Sequence, residues 1–205
     1  DGVAGSMDDV DVNLIESMSV LKDAASSAIY GSRAANGVIL ITTKRAKDRM
    51  SVNYKGYVGK QTPTAIPEVT DGLTYMNVFN DASMNDNGVK IYSDQDIEDF
   101  RQKYAADPKN YDWQDAILQG SGFTQSHFIW VAASNGIVRA VPSLSYVEQE
   151  GIIKNTNFKR FVFRNNLDIT PSEKFNMRFD VAVTNKNRKQ IADEGTIWNY
   201  LGRMP

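Results

Sequence analysis

Residues Ile15 to Lys44, IESMSVLKDAASSAIYGSRAANGVILITTK, constrain the fold more than any other stretch of the chain. Ile15 to Lys22 alternates Met18 and Val20 with Ser17 and Ser19, which is the period of a strand. Asp23 is read as a helix N-cap, its carboxylate accepting from backbone N–H groups that have no helical partner. Ala24 to Tyr30 is alanine-rich and predicts a short helix. Gly31 supplies the left-handed residue that ends it, and Asn36-Gly37 is a turn signal. Val38 to Thr43 is a β-branched run, apolar enough to predict a strand buried on both faces. A strand–helix–strand path needs a crossover of about a dozen residues, and Asp23 to Asn36 supplies that. The glycines do not form a phosphate loop. Gly31 to Gly37 lacks a Gly-Lys-Ser/Thr ending and precedes a strand, not a helix.

The flanks of this stretch are charged. Asp9, Asp11 and Asn13 open with the spacing of a calcium loop, but Leu14 stands at the turn-glycine position and Val20 at that of the bidentate glutamate. With Asp8 they are expected to form an ordinary solvated loop. Ala46-Lys47-Asp48-Arg49 reads as a short charged linker.

Beyond it the chain is built on alternation. Val52, Tyr54, Gly56 and Val58 alternate with Asn53, Lys55, Tyr57 and Gly59 in a first strand. Gln125 to Ser134, Val138 to Gln149, Phe158 to Thr170 and Phe175 to Asn185 are four more, each near the ~9–11 residues that cross a bilayer as a tilted strand. In the last, Phe175, Met177, Phe179, Val181 and Val183 share one face, and Asn176, Arg178, Asp180 and Thr184 the other. Pro142 lies mid-strand and predicts a bulge or a solvent-side position. Asn135-Gly136 and Thr170 to Lys174 are tight turns, whereas 61–124 and roughly 150–157 are longer connections. Short turns alternating with long loops is the pattern of an outer-membrane barrel, with the short turns on the periplasmic side. That reading makes the 61–124 insertion extracellular. Within it three helices are expected: Asp71 to Met84; one opened by Ser93 with Asp96 reaching back and closed by Pro108; and a short one capped by Asp112 and ended by Gly120.

Bulk properties exclude some classes. The 205 residues carry 23 basic and 25 acidic side chains, so no electrostatic case exists for nucleic acid. There is no cysteine, hence no disulfide framework or thiol chemistry. No run of ~18 apolar residues suggests a membrane helix, a test to which barrel strands are blind.

The motifs Leu21 to Ala24, Ala28-Ile29-Tyr30-Gly31-Ser32-Arg33-Ala34-Ala35-Asn36-Gly37 and Val38 to Lys44 resemble the plug domain of SusC-like (SusC/RagA) TonB-dependent transporters, the outer-membrane nutrient importers of Bacteroidetes-type bacteria. Tyr54 to Gly59, Tyr146 to Ile152 and Asn157 to Phe161 are similar to that family's early barrel strands. Phe128, Trp130 and Ala133-Ser134 depart from it, standing where small, polar or glycine residues are usual. The resemblance implies an α+β plug segment followed by antiparallel transmembrane β-barrel strands, a partial chain of a large plugged outer-membrane barrel. Residues 1–47 would be the C-terminal part of the plug and 48–205 the start of the barrel. The abrupt Asp1-Gly2-Val3 opening matches wording found inside the family's plug and implies an internal segment. Five strands cannot close a barrel of about 22, so further strands are expected from polypeptide outside this sequence.

The resemblance also implies partners and roles: a SusD-like surface lipoprotein that captures a glycan or peptide oligomer, TonB acting through a segment N-terminal to this chain, and outer-membrane lipid around the strands. Asp23, Tyr30, Gly31, Arg33, Asn36 and Gly37 carry the plug motif, with a structural or gating role. Arg33 is either paired with a carboxylate or simply exposed. Tyr104, Tyr111, Trp113 and Phe123 in the insertion could contact ligand or partner, or pack the loop's own small core. His127 is expected at a strand end, and the pairs Asp94/Asp96 and Glu148/Glu150 in solvent. No nucleophile–base pair, metal set or cofactor motif marks an enzyme. The alternative to a transporter is a soluble β-rich carbohydrate-binding or adhesion module. The two differ in what meets the Phe175–Val183 face, lipid or a second sheet.

Overall fold

The computed structural model of the chain describes residues 1–22, 28–31, 34, 36–47, 50–193 and 195–197. Two compact units divide it: Asp1–Gly59 with Thr124–Glu148 and Phe158–Asn187, and Lys60–Phe123 with Gln149–Asn157 and Arg188–Pro205.

The first unit opens with short 3-10 turns at Met7–Asp9 and Val12–Leu14. Strands β1 (Ile15–Leu21) and β2 (Val38–Thr43) follow and form a two-stranded sheet. They pair antiparallel, from Leu21↔Val38 at the closed end to Ile15↔Thr43 at the open end. This corrects the expected crossover: an antiparallel pair needs only a chain reversal, and the same connecting length accommodates either path. A second correction concerns β2, whose Ile39 is 48% exposed, because one neighbouring strand cannot cover both faces. The helix expected over Ala24 to Tyr30 falls largely outside the described residues; its end, Ala28–Tyr30, is a 3-10 turn. Gly31 is left-handed as expected (φ +73°). Gly37 closes the hairpin at φ +94°, where an added Cβ would stand 3.0 Å from the Leu21 carbonyl oxygen, so glycine alone fits without strain.

Five strands, β3 (Ser51–Gln61), β4 (Gly122–Ser134), β5 (Val138–Glu150), β6 (Asn157–Ser172) and β7 (Phe175–Lys189), form a second sheet in sequence order. β4 to β7 run 13, 13, 16 and 15 residues, longer than the lengths expected. Each therefore exceeds what a bilayer core requires. At the β4–β5 turn the Asn135 side-chain oxygen accepts from Ile137 N and Val138 N, which sets the hairpin.

The second unit holds the insertion. Helix α1 (Gly72–Asn87) is capped by Asp71, whose carboxylate accepts from Thr74 N at 2.9 Å. Helix α2 (Asp94–Ala106) begins in a complete capping box of Ser93 and Asp96. Helix α3 (Trp113–Ile117) is capped by Asp112 and stops at Leu118, before Gly120. Asn80 is buried on α1 and fixes the turn to α2: its oxygen accepts from Ile91 N (3.0 Å) and Tyr92 N (2.8 Å), and its nitrogen donates to Tyr92 O (2.7 Å). Leu118 bridges to Ile153, which ties the end of the insertion to the β5–β6 loop.

Candidate functional site

Alternation gives the five-stranded sheet two unlike faces. On one, Phe128, Ala132, Val141, Ser143, Ser145, Val162, Asn166 and Asp168 are buried. On the other, Ile129, Leu144, Phe161, Phe175, Phe179, Val181 and Val183 are exposed. The buried face is covered by residues from 1–14 and 43–46, and this contact is the candidate site.

Its centre is small and apolar. Leu14, at 1% exposure, joins Ala46, Phe128, Ala132 and Val141, with Trp130 at the margin. Phe128 and Trp130, the departures from the family pattern, thus fill the space between segment and sheet. Lys44 Nζ stands 5.4 Å from the Trp130 ring centroid and donates to Asn13 O at 2.7 Å. Ala46 is in this core, so the expected linker begins with a packed residue.

Around the centre runs a rim of charged and polar links. The Asp1 carboxylate accepts from Thr43 N (3.0 Å), from Thr43 Oγ1 (2.5 Å) and from Arg164 Nη2 (2.5 Å). Asn166 donates to Thr43 Oγ1 (2.7 Å) and to Lys44 O (2.9 Å). The Arg45 guanidinium bridges two strands, giving Nη1 to Asp168 Oδ1 (2.9 Å) and Nη2 to both oxygens of Asp180 (2.8 and 2.7 Å). Arg178 donates to the same Asp168 oxygen at 3.1 Å. Lys55 Nζ reaches Asn13 Oδ1 at 3.0 Å, and Lys186 Nζ pairs with Asp9 at 2.7 Å.

The acidic loop is therefore not simply solvated, as its composition suggested. Asp11 is 7% exposed and accepts from Ser145 Oγ at 2.6 Å. Lys186 holds the Asp9 carboxyl below the usual aspartate range, chiefly through its hydrogen bond. A depressed folded value means the link contributes stability above the ordinary aspartate pKa of 3.8 and loses it as pH falls through the folded value. Protection of the amides of residues 7–14 from exchange, relative to their intrinsic rates, is thus expected to fall below about pH 4. Asp9→Asn should show the lower protection already at neutral pH and lose that part of the acid response. An unchanged pH profile in the variant would remove the link from this account.

Most of these links replace bonds that water makes equally well, so each contributes only about 0.5–1.5 kcal/mol net. Such an interface holds a segment in register yet can part into water more cheaply than an apolar one of equal extent. The covering residues 1–14 lie within the stretch that the family model for the TonB-dependent Receptor Plug Domain matches, residues 1–38. TonB-dependent receptor SusC of Bacteroides thetaiotaomicron is 35% identical over 95% of this chain, which spans 18% of the length of that relative. The chain belongs to the SusC-like TonB-dependent receptors. A TonB-dependent receptor of Formosa agariphila is 32% identical over 88% of this SusC-like chain and 18% of its own length. The structure superposes on the RagAB peptide importer in its closed-closed state with a TM-score of 0.73 and 26% identity, over 94% of this chain and 24% of that one. For the open-open state the TM-score is 0.68 at 25% identity, over 93% and 24%. The chain is a plug segment followed by antiparallel barrel strands, a part of a larger barrel protein.

Of the motif residues in this SusC-like plug, Asp23 and Arg33 lie outside the described residues. Tyr30 and Asn36 are exposed, and Gly31 and Gly37 make the left-handed turns already described. Among the described residues, none of these four hydrogen-bonds to the strands of the five-stranded sheet. The contacts come instead from Asp1, Thr43 and Arg45, which the sequence does not mark as contact residues, and from Asp11, which it places in a solvated loop. Their signal lay in the partners: Asn166, Asp168, Arg178 and Asp180 are polar positions on otherwise apolar alternating strands.

In the insertion Tyr104 and Tyr111 pack with Phe100, at centroid distances of 6.1 and 5.1 Å, as that loop's own aromatic core. Trp113 and Phe123 keep much of their surface exposed. His127 is mid-strand rather than at a strand end, stacked on Tyr54 with Nδ1 2.7 Å from its hydroxyl. Glu148 is not solvated: Lys159, Gln125 and Tyr146 donate to it at 2.7, 2.7 and 2.9 Å on the outward face.

Proposed function

We propose that this chain forms the latched gate of a TonB-dependent outer-membrane transporter that imports oligomeric nutrients, glycans or peptides. In this reading a SusD-like surface lipoprotein delivers the oligomer, and TonB acts through polypeptide preceding Asp1. Residues 1–47 are then plug, 48–205 the first barrel strands in outer-membrane lipid, and 61–124 an extracellular insertion. Trp113 in the insertion and Phe123 at the start of β4 are the exposed aromatic surfaces for oligomer or lipoprotein. The supporting observation is the sidedness of the strands: polar side chains clasp the plug segment while Phe175, Phe179, Val181 and Val183 face outward. Among the described residues no second sheet covers that outward face, as a soluble sandwich module would require.

The test is a reversible lock. Asp11→Cys with Ser145→Cys places two thiols where oxygens now meet at 2.6 Å, in a chain without other cysteines. It is made in the full-length receptor, in cells whose growth on an oligomeric nutrient depends on it. Oxidation should stop growth, dithiothreitol should restore it, and each single variant should grow in both conditions. Growth at the wild-type rate with the crosslink formed would end the gate reading.

A further inference from the structure

The charges of the latch are unevenly divided. On the covered face of the strands lie Lys55, Arg160, Arg164, Arg178 and Lys186, while its carboxylates among the described residues are Asp168 and Asp180. Those two carboxylates are taken by Arg45, with Arg178 sharing Asp168. Of the other cations, Arg164 meets Asp1, Lys186 meets Asp9, the charge of Arg160 also helps hold Asp9 ionised, and Lys55 meets the amide oxygen of Asn13. Once the plug moves, Asp1, Asp9 and Asp11 leave with it, as does Arg45, and on the strands Lys55, Arg160, Arg164, Arg178 and Lys186 outnumber Asp168 and Asp180, an excess of positive charge toward the lumen.

We propose that this face is a guide for an acidic oligosaccharide of the uronic acid type, and that the plug's carboxylates stand in for its anionic groups at rest. The proposal rests on the transport reading and names its substrate class. The spacing suits passage. Arg160 and Arg164 are roughly 14 Å apart along β6, and Arg178 and Lys186 roughly 27 Å along β7, at ~3.4 Å per residue. An anionic group can leave one cation as another arrives at the next. Between the cations the face carries side-chain donors, Ser145 and Asn166, which at rest bind Asp11 and the Thr43–Lys44 oxygens. The same groups can serve sugar hydroxyls. The apolar part of the face, around Phe128 and Val141, is packed under Leu14 at rest.

The experiment measures TonB-dependent uptake by cells carrying the full-length receptor and its partners. Three radiolabelled probes of equal length are compared: an oligogalacturonate, its carboxyl-reduced neutral counterpart, and an oligoglutamate. Wild type is expected to take up the oligogalacturonate about tenfold faster than the neutral probe. Lys55→Gln with Arg160→Gln should lower that ratio at least threefold, because oligogalacturonate uptake falls more than neutral uptake changes. A merely loosened plug would instead raise entry of all three probes together. An unaltered ratio in the variant, or a wild-type preference for oligoglutamate, overturns the proposal. Neutral uptake without preference for the anionic sugar overturns it too, but leaves the transport reading standing. Entry of none of the probes also overturns it, and the disulfide lock then decides the transport reading by itself.

Discussion

Replacing Arg45 with alanine is expected to release the plug from the strands more than any other single charge change. Arg45 sits between Asp168 and Asp180, which come from neighbouring strands and are each less than one-fifth exposed at the side chain. Without the guanidinium two partly buried carboxylates face one another, with Arg178 reaching only Asp168. Removing one partner from such a pair costs about 3 kcal/mol, roughly a hundredfold in the docking equilibrium. Exchange of the Lys44 amide, which donates to Leu14 O at 2.9 Å, reports that equilibrium. In the full-length receptor it should accelerate about a hundredfold. Arg45→Lys should fall between the two, since an ammonium cannot grip both oxygens of Asp180 and also reach Asp168 in one plane. Acceleration of less than about threefold in Arg45→Ala would mean that the pair is offset by its own desolvation.

Phe128→Ala is expected to have the largest effect on stability. The ring is 2% exposed, in the cluster it forms with Leu14, Ala46, Ala132 and Val141, and the cavity left by its loss lies between plug and strands. Truncations of this kind cost about 3–5 kcal/mol. Ile129→Ala, one residue along and 39% exposed on the opposite face, should cost about 1 kcal/mol or less in detergent. Denaturant melts of the two variants separate the faces. A Phe128→Ala and Leu14→Ala cycle should show coupling of about 1–2 kcal/mol, because both side chains line one cavity. Equal losses at 128 and 129 would contradict the sidedness on which the transporter reading stands.

The strands and helix caps were legible because their signals are local. Phe175, Phe179 and Val181 announce their face by period alone, and Asp71, Ser93 and Asp112 act on N–H groups two or three residues ahead. The antiparallel course of β1 and β2 was not legible, since the intervening residues are long enough for a crossover and for a reversal. Asp9 and Asp11 looked solvated because their partners, Lys186 and Ser145, lie far along the chain. Arg45 hid in the same way, behind the apolar run that precedes it. Arg33 drew notice through its motif, but motif membership says nothing about contact. The latch is a long-range object, and what the sequence offers of it is one half: unexplained polar residues in phase on β6 and β7.

The antiparallel pairing of β1 and β2 has a mechanical consequence. Ile15 and Thr43 are partners at the open end of the hairpin. A pull on the chain ahead of Ile15, resisted where Arg45 is anchored, enters the sheet at that end. Tension then acts across the hydrogen bonds, and rungs part in turn from Ile15↔Thr43 toward Leu21↔Val38. A parallel pair held at opposite ends would put every rung under shear together and demand a far higher peak force. The hairpin is oriented to peel like a zip, so a modest, sustained pull suffices to open it.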